Sequence, residues 1–206
     1  MGYRIENVMV VTAEAEAVKL VRNVTVLTEK DKIIYIGENP PPAEHHIVIN
    51  GKGKALVPGL VNAHTHVPMT LLRSYADDMS LHTWLYEHIF PIEDKMTEDD
   101  IYWGSQLAFL EMLAGGTTCF CDMYVFIDRI AEAIEACGMR ALLSRGLIYG
   151  DHLEDYSNEE KLKEAMSTFR QWHGAADGRI KIALAPHALY TCAPAYIRAV
   201  RDAAEK

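Results

Sequence analysis

Two histidines separated by one residue, His64 and His66, end the apolar run Pro58-Gly-Leu-Val-Asn-Ala. Side chains alternate across a β-strand, so both imidazoles leave the same face. Two imidazoles side by side can each give a ring nitrogen to one divalent metal ion, a common use of paired histidines. The plainer alternative is a pair of satisfied or surface histidines, and a bare His-x-His favours it. Delivery of the pair at the end of an apolar strand tips the reading towards metal. Three more polar side chains stand out: Glu93 in Phe90-Pro-Ile-Glu-Asp, Arg145 near the close of one apolar run and His187 at the close of another. A loop charge, a salt bridge and a structural histidine are the ordinary alternatives for these three.

The elements that must carry these residues change character along the chain. Residues 1–55 hold short β-type runs, Val24 to Leu27 and Ile33 to Ile36, joined through the polar turn Glu29-Lys30-Asp31-Lys32. Asn39-Pro40-Pro41-Pro42 can only be loop, and Ile47 to Ile49 ends at the turn dipeptide Asn50-Gly51. This segment reads as a small N-terminal β-sandwich piece. From residue 56 to residue 206 the rhythm is strand, loop, helix, four times over. Strands are expected at Leu56 to His64, Thr117 to Tyr124, Arg140 to Leu147 and Ile180 to His187. Helices are expected at Glu98 to Leu113, Ile127 to Ala136, Glu159 to Trp172 and from Ala195 onward. Leu162, Met166, Phe169 and Trp172 recur at helical spacing, Ser157 with Glu160 fits a capping box, and Thr97 with Asp100 is a looser version of it. Alternating βα units imply an α/β fold with a parallel sheet, doubly wound or closed as a (β/α)₈ barrel. A closed barrel takes about 250 residues, so four units make the first half of one, and its mouth lies at the C-terminal strand ends where His64, His66 and His187 fall.

Composition narrows the partners. A net charge of −9 gives no electrostatic footprint for nucleic acid or an anionic membrane surface. No apolar run approaches the roughly 20 residues of a membrane-spanning helix. Glu6, Glu14 and Glu16 interrupt any signal-like stretch. Cys119, Cys121, Cys137 and Cys192 lack disulfide-framework or Cys-x-x-Cys spacing and read as reduced thiols. A cytoplasmic protein acting on a small molecule is the expectation.

The stretch PGLVNAHTH resembles the first metal-binding strand of the amidohydrolase superfamily. The likeness runs on through Leu71-Leu-Arg73, Trp84-Leu85, Pro91-Ile-Glu93-Asp, Gly115-Gly-Thr-Thr118, Ser144-Arg145-Gly146-Leu147 and Ala185-Pro-His187. Within the superfamily it is similar to the methylthioadenosine/S-adenosylhomocysteine deaminase branch. The resemblance implies one divalent metal, Zn²⁺ by the family habit, with His64 and His66 as two of its ligands. It implies Glu93 as acceptor for ribose hydroxyls, His187 as a purine contact and Arg145 beside the substrate tail, where a guanidinium suits a carboxylate. Trp84 resembles an aromatic wall beside the thioether. The remaining ligands and the proton-shuttling glutamate and aspartate are implied beyond Lys206, in a C-terminal half of the barrel supplied in cis or in trans. Some superfamily members hold two metals bridged by a modified lysine at the fourth strand tip. Lys181 lies six residues before His187, roughly 20 Å along a strand, which favours one metal.

The activity so implied is hydrolytic deamination of an adenosine-type nucleoside to its inosine analogue and ammonia, with this chain supplying part of the site. An aminohydrolase for guanine, a chlorotriazine or a related ring stays open beside it, as does a non-catalytic half-barrel. A homo-oligomer is compatible with the open strands.

Overall fold

The computed structural model describes residues 2–14, 17–42, 46–149, 156 and 159–205. These fall into two compact units, Met1–Gly59 and Leu60–Lys206.

The first unit is one five-stranded sheet. Its frame is a long antiparallel hairpin, β1 (Gly2–Glu14) and β2 (Ala17–Glu29), extended by β3 (Lys32–Gly37) on β2 and by β4 (His46–Asn50) parallel to β1. The sequence runs at Val24, Ile33 and Ile47 belong to β2, β3 and β4, but β1 is longer than any run there suggests. Its ladder with β2 shifts register between Ile5 and Val10, and Asn7 and Asn23 sit at positive φ (57° and 55°) where it does so. Asparagine tolerates that left-handed conformation better than most residues, so bulges absorb what strict alternation would have signalled. Val8, Val10, Val24 and Val26 form the buried cluster of this unit.

The strand expected from Leu56 to His64 is in fact two. β5 (Ala55–Leu56) pairs with β1 in the first sheet, and β6 (Leu60–Thr65) opens the second. Pro58 intervenes, and a proline has no N–H to give to a ladder.

The second unit holds β6, β7 (Thr117–Tyr124), β8 (Arg140–Leu147) and β9 (Ile180–Pro186) in that order, each parallel to the next. Helices α1 (Glu98–Ala114), α2 (Ile127–Cys137), α3 (Glu160–Trp172) and α4 (Pro194–Ala204) follow the four strands in turn. The repeating βα units and their parallel order are as the sequence implies. A core of Ile101, Phe109, Phe120, Ile130, Ile134 and Leu143 lies under α1, α2 and the sheet. A second core around Leu147, Leu162, Tyr196 and Val200 fixes α3 and α4. No helix among the described residues is long and apolar enough to cross a membrane.

Helix starts follow local chemistry. Thr97 and Asp100 make a reciprocal capping box, with Asp100 Oδ2 accepting from the Thr97 N–H at 2.8 Å. Ser157 lies outside the described residues, and α3 is capped by Glu159, whose carboxylate accepts from the N–H groups of Lys161 and Leu162. A carboxylate at that end also faces the positive pole of the helix.

Candidate active site

His64 near the end of β6 and His66 just after it lie together. The rings of His64 and His66 lie edge to face with centroids 5.0 Å apart. His66 Nδ1 lies 2.6 Å from the carbonyl oxygen of Met123 on β7. A carbonyl can only accept, so Nδ1 carries the proton and Nε2 is left with its lone pair. Metal-ligating histidines are oriented and fixed in tautomer in this way. The two residues therefore fit a divalent cation in donor type, spacing and, for His66, tautomer. Among the described residues no group of three or more His, Cys, Asp or Glu side chains comes together to complete such a site.

A cavity of about 130 Å³ opens beside His66 at the C-terminal strand ends. Glu93, Arg145 and His187 all line it, as do Trp84 and Tyr124, with Met69, Leu85, Ile89 and Phe90 as apolar wall. Trp84 and Glu93 arrive on the helical turns of residues 81–93, whose middle, Trp84–Ile89, is wound more widely than an α-helix. Such wider turns gather at functional sites. His64 opens instead onto a neighbouring cavity of about 280 Å³ with Cys121, Asp122, Ser144, Ala183 and Ala185, and His187 borders both.

Glu93 is held from the strand side. The Tyr124 hydroxyl donates to Glu93 Oε1 at 2.6 Å and also lies 3.7 Å from Met96 Sδ. Burial raises the Glu93 carboxyl pKa above its ordinary value, with the Tyr124 bond and the nearby His66 pulling it back. Burial, and then the Glu93 bond and charge, push the Tyr124 phenol far up, so it stays a donor. Arg145 does take part in a salt bridge, its Nε donating to Glu164 Oε2 at 3.0 Å while Nη1 donates to the Gly146 carbonyl at 3.1 Å. The ion pair holds the guanidinium at the cavity wall rather than withdrawing it from the cavity. His187 Nδ1 pairs with Thr191 Oγ1 at 2.9 Å, and burial followed by the charge of His66 lowers its pKa. An unprotonated imidazole there suits contact with a neutral ring.

Two residues in this region carry no sequence motif. Tyr124 reads as core on an apolar strand, and its partner lies 31 positions away. Asp122 is 3% exposed, the one charged side chain of β7. Its place two residues before the strand tip, among Phe120 and Tyr124, was the available signal, since a charge is almost never buried without a partner. Burial pushes it up to about 7, against the opposing pull of the Thr65 hydroxyl, the Val67 N–H and the charge of His64.

Comparison with known proteins decides the family. Residues 55–206 match the profile of the amidohydrolase family. The chain belongs to this family. Over its whole length it is 45% identical to the 5-methylthioadenosine/S-adenosylhomocysteine deaminase of Thermoanaerobacter pseudethanolicus, of which it covers 47%. It is 46% identical across 98% of its length to the 5'-deoxyadenosine deaminase of Methanosarcina acetivorans, covering 46% of that protein. Among solved structures, an adenosine deaminase from Xanthomonas campestris with bound zinc superposes with a TM-score of 0.82 at 36% identity, over 98% of this chain and 46% of that one. This amidohydrolase chain thus spans about half the length of the relatives it matches. Its four βα units are half of what a (β/α)₈ barrel contains.

Proposed function

We propose that this chain forms the first half of an amidohydrolase barrel that deaminates an adenosine-type nucleoside, methylthioadenosine or S-adenosylhomocysteine, to the inosine analogue and ammonia. The observation that carries the reading is the His64–His66 pair with His66 Nδ1 fixed on the Met123 carbonyl, set beside a cavity that Glu93, Arg145 and His187 share. The names of the relatives support the nucleoside class, and the zinc of the Xanthomonas structure supports zinc as the metal.

In this reading His64 and His66 hold one divalent metal through ring nitrogens. The bound metal supplies Lewis acidity that activates water near neutral pH. Glu93 accepts from the ribose hydroxyls through the oxygen that Tyr124 leaves free. His187 meets the purine face and Trp84 the thioether side. Arg145, braced by Glu164, offers its remaining N–H groups to the carboxylate of S-adenosylhomocysteine, and in methylthioadenosine that contact is absent. The groups that move protons to the departing ammonia, and the remaining metal ligands, belong to a C-terminal half joined in cis or supplied as a second polypeptide. The compartment is the cytoplasm, in keeping with the four unpaired thiols.

The test is ammonia release by the complete barrel from methylthioadenosine, S-adenosylhomocysteine, adenosine, guanine and melamine. Turnover confined to the ribosyl substrates, with loss of the metal in His64→Ala and His66→Ala, is expected. Preference for guanine or melamine would replace the substrate assignment. Metal retained in both histidine variants would remove the ligand assignment.

A further inference from the structure

The ladder between β6 and β7 is irregular just before the histidine pair ends, between Asn62 and Thr65, where Thr65 comes opposite Asp122. One carboxylate oxygen spans the gap. Asp122 Oδ1 accepts from the Val67 N–H at 2.8 Å and lies 2.7 Å from Thr65 Oγ1. That hydroxyl is also 2.8 Å from the Cys121 carbonyl, so its single proton is shared between the two acceptors. The residues on either side of His66 are therefore tied to the same atom, while the His66 ring is tied to the next residue of β7, Met123. The backbone of Asp122 is itself braced, its carbonyl accepting from Ser144 Oγ at 2.9 Å.

The other oxygen is different. Asp122 Oδ2 is buried and has no hydrogen-bond partner among the described residues. A buried carboxylate oxygen without a donor is costly unless the group takes up a proton or a positive charge compensates it. Asp122 and His64 line the same cavity, and the charge of His64 acts on the Asp122 carboxyl.

We infer that Asp122 is the positioning residue of the metal pair: Oδ1 sets the course of Thr65–Val67 and hence the aim of the imidazoles, and Oδ2 supplies negative charge behind a divalent cation that they ligate. This rests on the assignment of His64 and His66 as ligands made above. Two neutral imidazoles bring no charge of their own to a dication, so a buried anion close behind them strengthens the site without occupying a ligand position. Carboxylates that accept from the free ring N–H of a metal-bound histidine tune such sites, whereas Asp122 acts through the Thr65 hydroxyl and the Val67 N–H.

The experiment measures zinc affinity of the complete barrel by competition with a chromophoric chelator. It is paired with the visible spectrum of the cobalt-substituted protein and the melting temperature of the metal-free form. Asp122→Asn keeps an acceptor for Val67 and removes the charge. It is expected to lower zinc affinity about 10- to 100-fold and to shift the cobalt bands, with no fall in the metal-free melting temperature. Thr65→Val, which removes one bond to Oδ1 and touches neither imidazole, is expected to move affinity the same way, and Thr65→Ser to restore it. Wild-type affinity and spectrum in Asp122→Asn would overturn the inference while leaving the ligand assignment standing, provided His66→Ala loses the metal. Should Asp122→Asn fail to fold, wild-type affinity in Thr65→Val would overturn it equally. Metal retained in His64→Ala and His66→Ala would instead remove the ligand assignment, and this inference with it.

Discussion

A carboxylate that accepts hydrogen bonds from a sugar must be ionised, held still and left with a free oxygen. Glu93 meets the last two conditions through Tyr124, which occupies Oε1 and keeps its own proton. The first condition depends on pH. Burial raises the Glu93 pKa, so the ionised acceptor, complete at high pH, is lost as pH falls through a value above the ordinary carboxylate range. KM for methylthioadenosine in the complete barrel is therefore expected to climb on the acid side earlier than an exposed glutamate would cause, and Glu93→Gln should flatten that limb. Glu93→Ala should weaken ribosyl substrates by about 1.5–3 kcal/mol, the range for a hydrogen bond to a charged group, and leave a free purine nearly untouched. Equal loss on both ligands would make Glu93 structural. The sequence singles out Glu93, Arg145 and His187 through short motifs that resemble the family, and the structure brings the three to one cavity. Tyr124 and Asp122 were not legible there, because their roles arise from partners far away in sequence, and a tyrosine on an apolar strand has packing as its commonest use.

Elements were most legible where a single face is buried and the ends carry turn chemistry. β7 and β8 run over the residues expected of them, and α1 begins at a true capping box. The misreading at β5 and β6 came from treating apolar continuity as strand continuity across Pro58. The turn after β6 is equally silent in sequence, and it begins immediately after His66. Residues Val67–Leu72 form a short helical turn packed on α1, where Thr70 Oγ1 lies 2.8 Å from the Gly104 carbonyl. Gly104 permits that approach, since a Cβ there would stand 2.8 Å from the Pro68 carbonyl oxygen and 3.1 Å from Leu71 Cγ. In an exposed helix, alanine for glycine stabilises by up to about 1 kcal/mol. Here the contact reverses the sign, and Gly104→Ala should destabilise by about 1–3 kcal/mol, as overpacking does. Chemical denaturation reads the stability. Zinc affinity should fall as well, because the turn begins immediately after His66. A raised denaturation midpoint would show that the turn yields freely and does not set the histidines.

At the scale of the molecule, a parallel sheet is ordinarily covered on both faces and continued on both sides. The sheet β6-β7-β8-β9 has β6 and β9 as its outer strands among the described residues. Leu60, Val61 and Leu142 on its strands are 58%, 63% and 39% exposed, although Phe120, Ala141 and Leu143 on β7 and β8 are buried. Open strand edges beside apolar surface recruit other chains. A catalytic zinc site wants about three protein ligands plus water, and in the proposed reading this stretch brings two, His64 and His66. Residues 1–206 alone are therefore expected to self-associate, to hold zinc weakly and to release no ammonia from methylthioadenosine. Adding the C-terminal half, fused or as a separate polypeptide, should bring back three properties together: a defined oligomeric state, stoichiometric metal and turnover. Joint return matters more than any single gain, because one set of added strands closes the edges, covers the apolar face and completes the ligand set. Light scattering, metal analysis and an ammonia assay on the same preparations measure all three. If residues 1–206 proved to be a monomer with stoichiometric metal and real turnover, the ligand count and the need for further strands would both be wrong. Metal returning without turnover would place the proton-moving groups outside the added half.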